Sequence, residues 1–173
     1  MMDYPMRQGE PMNGIRLAAA FLFFTGWILT GSEVPSISPL EALEMTKTTA
    51  TYIVDVRSIA EYHLIGHPLD AVNIPLTFWS EKTQSFEPNE NFVKDIRERF
   101  KTTDILIFIC RSGGRSLRAA EEALQAGFSN VYSVKEGFEG EKDDKGYRTV
   151  GGWKNRGLPY TYEINPNLAY RFR

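Results

Sequence analysis

Apolar residues recur along this chain in short runs that alternate with stretches of helical period, and that alternation sets the expected fold. The runs 51–56 (TYIVDV) and 105–109 (ILIFI) stay apolar on successive residues, as strands buried on both faces do. A shorter run, 71–74, is closed by Pro75, and 130–134 reads as a further strand. Helical signals lie between them. Ser38-Pro39-Leu40-Glu41 opens a helix with Ser38 as N-cap, Pro39 at N1 and Glu41 completing a capping box; it is expected to end near Lys47. Residues 58–64 form a short helix stopped by Gly66 and Pro68. Residues 91–100 place Phe92, Ile96 and Phe100 four apart on one face, and 116–126 is a helix ended by Gly127. Residues 80–88 read as a polar connection. Strand and helix alternate throughout, which predicts an α/β fold: a mostly parallel sheet with helices on both faces. Ligands of such sheets bind beyond the carboxyl ends of the strands.

Two segments depart from that rhythm. Residues 17–29 (LAAAFLFFTGWIL) follow Arg16 and precede Thr30-Gly31-Ser32, the layout of a secretory signal with a small-residue cleavage site. Asp3 and Glu10 do not suit the upstream region, whereas a start at Met12 leaves a short basic one, Met12 to Arg16. The uncharged window is shorter than the ~20 residues a spanning helix needs. Residues 1–32 are therefore expected to be a signal peptide, with an uncleaved membrane anchor as the alternative. Residues 33–173 are expected to form one exported or periplasmic domain with an irregular C-terminal tail. The second segment, 137–152, carries five glycines and a charged tip at 141–146. It lacks the D-x-D-x-D-G ligand pattern of a calcium loop and reads as a solvated turn. Beyond it, Trp153 is expected to plug the core and Gly157 to end a helical turn.

Composition narrows the function. With 173 residues, 42% of them apolar, the chain can bury one sizeable core. A formal net charge of −2 offers no basic surface for nucleic acid. A single cysteine, Cys110, excludes an internal disulfide, a thiol with its own resolving partner and a multi-thiolate zinc site. His63 and His67 are four apart, but Pro68 follows and no third ligand is evident, so no metal and no cofactor are expected.

That cysteine carries the chemistry. Residues 110–116 read Cys-Arg-Ser-Gly-Gly-Arg-Ser, between a buried strand and a helix. Gly113 and Gly114 allow the backbone to curl around the thiol, and Arg111 and Arg115 add positive charge. Unpaired N–H groups at a helix start and the helix dipole favour an anion, which predicts a reactive thiolate. The loop from Arg111 through Ser112, Gly113, Gly114 and Arg115 to Ser116 is the expected binding site for a small anion. Ser116 is read as the N-cap of the following helix, a hydroxyl donor, or both. Arg111 is the better candidate for orienting an anion, since Arg115 has the option of pairing with an acid outside the loop. Asp55 and Arg57 are supporting residues: Asp55 fixes nearby backbone N–H groups, and Arg57 is expected to pair with Glu61 four residues on.

Taken in order, several motifs resemble a single-domain rhodanese, a sulfurtransferase. They are Val54-Asp55-Val56-Arg57 with Glu61-Tyr62; Gly66-His67 with Ala71 to Pro75; the Cys110 loop; Ser116-Leu117-Arg118-Ala119-Ala120; and Gly137-Phe138 with Trp153 and Gly157-Leu158-Pro159. Two departures are local: the family's Gly-His-Ile-x-Gly-Ala has Pro68, Leu69 and Asp70 in its middle here, and the segment between Phe138 and Trp153 is longer than in minimal members, an insertion at 139–151 for which the resemblance implies a hairpin near the site. The resemblance implies a Cys110 persulfide that takes a sulfane sulfur from thiosulfate or a similar donor and passes it to a thiophilic acceptor. The implied partners are small sulfur-containing anions and a possible protein acceptor of sulfur. Two other functions remain open. A persulfide carrier without turnover needs the same loop. A cysteine-dependent phosphatase or arsenate reductase uses Cys-x5-Arg, one residue longer than the spacing between Cys110 and Arg115, so the pocket here is cramped for a tetrahedral phosphate.

Overall fold

The computed structural model describes residues 33–172 of the chain. The expectations for 1–32 lie outside the described residues. In chain order the elements are β1 (Ser36–Ile37), α1 (Pro39–Met45), β2 (Thr51–Asp55), α2 (Ile59–Ile65), β3 (His67–Pro68), β4 (Val72–Asn73), β5 (Thr77–Ser80) and β6 (Ser85–Pro88). They continue with α3 (Phe92–Arg99), β7 (Ile105–Ile109), α4 (Gly114–Gln125), β8 (Asn130–Val134), β9 (Glu141–Lys142), β10 (Arg148–Val150) and β11 (Tyr160–Thr161).

Five strands make the central sheet in the order β1-β8-β7-β2-β4, with every neighbouring pair parallel. Successive side chains of a strand point to opposite faces, so each central strand feeds two cores. Leu106 and Phe108 of β7 pack with Ala119, Ala120 and Ala123 of α4 and with Phe92 and Ile96 of α3. Ile107 and Ile109 point the other way, toward Ala42 of α1, Tyr62 of α2, Phe138 and Trp153. The continuous apolar run 105–109 thus has its cause in double-sided burial. Trp153 is 1% exposed and donates its indole N–H to the Pro159 carbonyl at 2.8 Å, the plug its position in the sequence suggested.

The differences from the sequence expectations are local and have physical causes. Helix α1 keeps its capping box but ends at Met45, two residues early, because the Thr46 and Thr48 hydroxyls bond back to the Leu43 and Met45 carbonyls. Residues 77–88 form a hairpin, not an unstructured polar connection: β5 and β6 pair with Trp79 opposite Phe86. Its alternation was too short to stand out, and both rings face solvent. Asp70 adopts φ +56°, the left-handed conformation for which the family's pattern has glycine and which aspartate tolerates better than most residues. The insertion at 139–151 is a hairpin of β9 and β10. The tail is more ordered than expected. β11 pairs with β3, the Leu168 carbonyl accepts the Asn73 N–H at 2.8 Å, and Tyr170 bonds Asp95. It thereby covers the edge of β4, which would otherwise offer an open strand.

Candidate active site

Strand β7 ends at Ile109 and delivers Cys110 to the carboxyl edge of the sheet, between β2 and β8. The chain then turns so tightly that α4 begins at Gly114. Gly113 makes the turn at φ +106° against the end of β8; a Cβ there would meet the Lys135 carbonyl oxygen at 2.2 Å. Only glycine satisfies both conditions. The turn aims the Gly113 N–H at the sulfur, N to Sγ 3.1 Å. Behind it come the N–H groups of Gly114, Arg115 and Ser116, in the first helical turn, where no carbonyl four residues back is available. The loop is braced from the segment that follows β8: Phe138 N–H donates to the Cys110 carbonyl at 2.7 Å and Glu139 N–H to the Arg111 carbonyl at 2.9 Å. Gly137 permits that approach, since a Cβ on it would fall 2.6 Å from the Cys110 carbonyl oxygen.

The two loop arginines have different employment. Arg115 is bound end-on to Glu61 of α2, Nη1 to Oε2 2.8 Å and Nη2 to Oε1 2.6 Å, so its charge is already paired within the fold. Arg111 is exposed and makes no ion pair among the described residues. Ser112 is half-buried, Gly113 buried and Gly114 exposed with nothing near its open side.

Arg57 does not pair with Glu61 as the four-residue spacing suggested. The spacing rule holds within a helix, and Arg57 precedes the N-cap Ser58. It folds back on Asp55, Nη2 to Oδ2 2.6 Å and Nε to Oδ1 3.0 Å, and donates a further bond to the Gly66 carbonyl at 2.7 Å. Asp55 Oδ1 also accepts the Arg57 backbone N–H at 3.0 Å. Both side chains are fully buried, and the guanidinium lies 4.2 Å from the centre of the Phe138 ring, with Nη1 3.9 Å from Glu139 Oε1. Asp55 and Arg57 therefore tie the end of β2 to the 138–139 brace rather than line an open pocket.

Glu61 closes two structures at once. It completes a capping box with Ser58, accepting both its N–H and its hydroxyl at 3.0 Å, and it anchors Arg115. Burial alone would raise its carboxyl, but the bonds and charge of Arg115 and the bonds from Ser58 outweigh this and hold it at about 2. A carboxylate depressed in the folded state contributes stability that is complete above its ordinary value and lost as pH falls through the folded one. Urea unfolding should therefore show stability declining between pH ~4.5 and ~2. Glu61→Gln should flatten that decline; an unchanged slope would remove Glu61 from it.

Ser116 is not the N-cap. The glycine pair starts the helix two residues earlier, Gly113 holds the cap position, and Ser116 sits in the first turn. Its hydroxyl donates to the Gly113 carbonyl at 2.8 Å, and its oxygen lies 3.6 Å from the Cys110 sulfur and 2.9 Å from the Ser133 hydroxyl. His67, stacked at 3.6 Å on Tyr62 with Nδ1 3.1 Å from the Tyr62 carbonyl, is part of the core. Burial is the main cause that lowers its pKa. Ser133 and Glu139 are the site neighbours that sequence reasoning did not single out, and neither left a local signal. Sequence spacing points to Glu61 as the partner of Arg57 rather than of Arg115, and to Phe138 only as part of a motif.

Comparison with known proteins adds a second line of observation. The model of the rhodanese-like domain family matches residues 38–144. The protein RP600 of Rickettsia prowazekii is 36% identical over 112 residues, 64% of this chain and 83% of that one. Thiosulfate sulfurtransferase 16, chloroplastic, of Arabidopsis thaliana is 30% identical over 129 residues, covering 74% of this chain and 94% of that protein. Among solved structures, Rv0390 from M. tuberculosis superposes with a TM-score of 0.65 at 36% identity, covering 76% of this chain and 100% of that one.

Proposed function

Since the chain belongs to the family of rhodanese-like domains, we propose that it is a sulfurtransferase that works through a persulfide on Cys110. The single observation that carries this reading is the placement of the sulfur. It receives the Gly113 N–H at 3.1 Å, lies 3.6 Å from the Ser116 hydroxyl and faces the first turn of α4. An amide hydrogen aimed at the sulfur from the start of a helix stabilises a small anionic sulfur species.

With thiosulfate as donor, a lone pair of the Cys110 thiolate forms the new S–S bond. The sulfur–sulfur bond of thiosulfate breaks with its electrons, and sulfite leaves. The charge entering equals the charge leaving, and sulfite needs no proton to depart, so the site requires no general acid. The terminal sulfur of the persulfide then passes to cyanide or a thiol, regenerating the thiolate. Arg111 is the loop cation available to draw in a dianionic donor, because Arg115 is committed to Glu61. That commitment also weakens the phosphatase alternative, which needs its loop arginine over the bound oxyanion. The reading includes export: Arg16 and the apolar segment 17–29, outside the described residues, support a signal or anchor segment. Among the described residues no helix is long and apolar enough to cross a membrane.

Intact-mass measurement after incubation with thiosulfate tests the reading. The wild type should gain one sulfur atom, and Cys110→Ser should gain none. A wild type that gains nothing overturns it. Turnover with cyanide then separates enzyme from carrier: a carrier loads fully in one round and produces thiocyanate no faster than the background reaction.

A further inference from the structure

The hydroxyl beside the sulfur is itself held by another hydroxyl, deep in the sheet. Ser133 is the fourth residue of β8, on the strand next to β7, and is 1% exposed. Its Oγ donates to Ser116 Oγ at 2.9 Å. Ser116 is 0% exposed and has three polar neighbours: Ser133, the Gly113 carbonyl and the Cys110 sulfur. A hydroxyl has one hydrogen to give and two lone pairs to receive. With Cys110 as a thiol, all three neighbours are served: Ser133 and the S–H donate into the lone pairs, and the Ser116 hydrogen goes to the Gly113 carbonyl.

Ionisation of the sulfur, or its conversion to a persulfide anion, removes that S–H and turns the sulfur into an acceptor. The Ser116 hydrogen can then turn from the Gly113 carbonyl to the sulfur. The abandoned carbonyl is not left bare, because it still accepts the Leu117 N–H at 3.1 Å. Nor does the Ser116 oxygen drift, because the Ser133 hydrogen bond remains. A bond received by a hydroxyl also polarises its own O–H and makes it a better donor.

The geometry points to Ser133 as a positioning residue for the reaction: through Ser116 it holds a rotatable hydroxyl that follows the sulfur as the sulfur gains and loses charge. This goes one step deeper than the sulfurtransferase reading and rests on it for its purpose. The charged groups around the loop play no part in the relay. They are Arg111 in the loop itself, Arg115 with Glu61 of α2, Arg57 with Asp55 at the end of β2, and Lys135 and Glu139 after β8, and no hydrogen bond links any of their side chains to Ser133 or Ser116 among the described residues.

The test is the rate at which iodoacetamide alkylates Cys110 in the full chain, followed from pH 5 to 10. Ser133→Ala should alkylate about three- to tenfold more slowly than wild type at pH 7 and converge with it at pH 10, since a less polarised and less firmly held Ser116 hydroxyl is a weaker donor to the anion, which shifts ionisation rather than access. Ser133→Thr and Ser133→Val have nearly the same shape and differ in the hydroxyl alone. Thr should keep the wild-type profile and Val should follow Ala, which cancels any effect of crowding in the sheet. Coincident profiles for folded wild type and Ser133→Ala overturn the inference, as does a rate deficit that persists at pH 10 or one that Thr and Val share. Alkylation reads the thiol whether or not thiosulfate loads it, so failure here is distinct from failure of the sulfurtransferase reading.

Discussion

Arg57→Ala should lose about 3–5 kcal/mol of stability, the cost of leaving a buried carboxylate without its partner. Asp55 is fully buried and receives three of its bonds from the Arg57 guanidinium, at 3.0, 3.1 and 2.6 Å. Burial alone would lower the arginine pKa, yet the charge and hydrogen bonds of Asp55 hold it raised, so the guanidinium stays charged in the fold. Alanine removes the cation, the bond to the Gly66 carbonyl and the contact with Phe138 in one step. Arg57→Lys keeps the charge but not the planar fork, and should recover only part of the loss. Asp55→Asn should cost less than Arg57→Ala, because a neutral amide left beside the arginine still accepts a hydrogen bond. Chemical denaturation of the three variants measures the ranking; an Arg57→Ala protein within 1 kcal/mol of wild type would show that the pair holds nothing together.

Gly113→Ala should abolish the site more thoroughly than it harms the fold. The methyl group would sit 2.2 Å from the Lys135 carbonyl oxygen, just past β8, in a conformation (φ +106°) that costs a non-glycine residue about 1–3 kcal/mol on its own. Relief requires the loop and the Lys135 backbone to move apart. Movement of the loop takes the Gly113 N–H away from the sulfur, and removing one such donor typically costs about a hundredfold or more in rate. Persulfide loading should therefore fall by about that factor in a protein that still unfolds cooperatively. Gly114→Ala is the matching control for stability. Nothing lies within 4 Å of its added carbon, and alanine favours the helix that starts there, so its unfolding midpoint should be unchanged or raised. Equal loading rates in wild type and Gly113→Ala would remove the turn from the mechanism.

Read along the chain, what could be foreseen and what could not divide by range. β7 and β8 fell on the expected residues, because an apolar run bounded by turn residues is a local signal. The Ser38 capping box and the cysteine at the mouth of a helix are local as well: their parts lie within a few residues of each other. The β5–β6 hairpin escaped because each strand has four residues and exposes both of its faces in part. A short, two-sided strand carries little periodicity to detect.

By itself, the sequence determined the alternation of strand and helix, the double-sided burial of the central strands, and the position of Cys110 between a strand end and a helix start. All of these follow from contacts between near neighbours and from the two faces of a strand. Tertiary structure alone decided the partners. Arg115 is 54 residues from Glu61, Ser133 is 17 from Ser116, and the Cys110 carbonyl is held by the N–H of Phe138. Each depends on which strands lie side by side, and parallel neighbours are joined only through crossovers that remove them from one another in sequence. The thiol was legible because its loop is contiguous; what holds and tunes it was not, because the sheet order β8-β7-β2 assembles it from three separate stretches of chain.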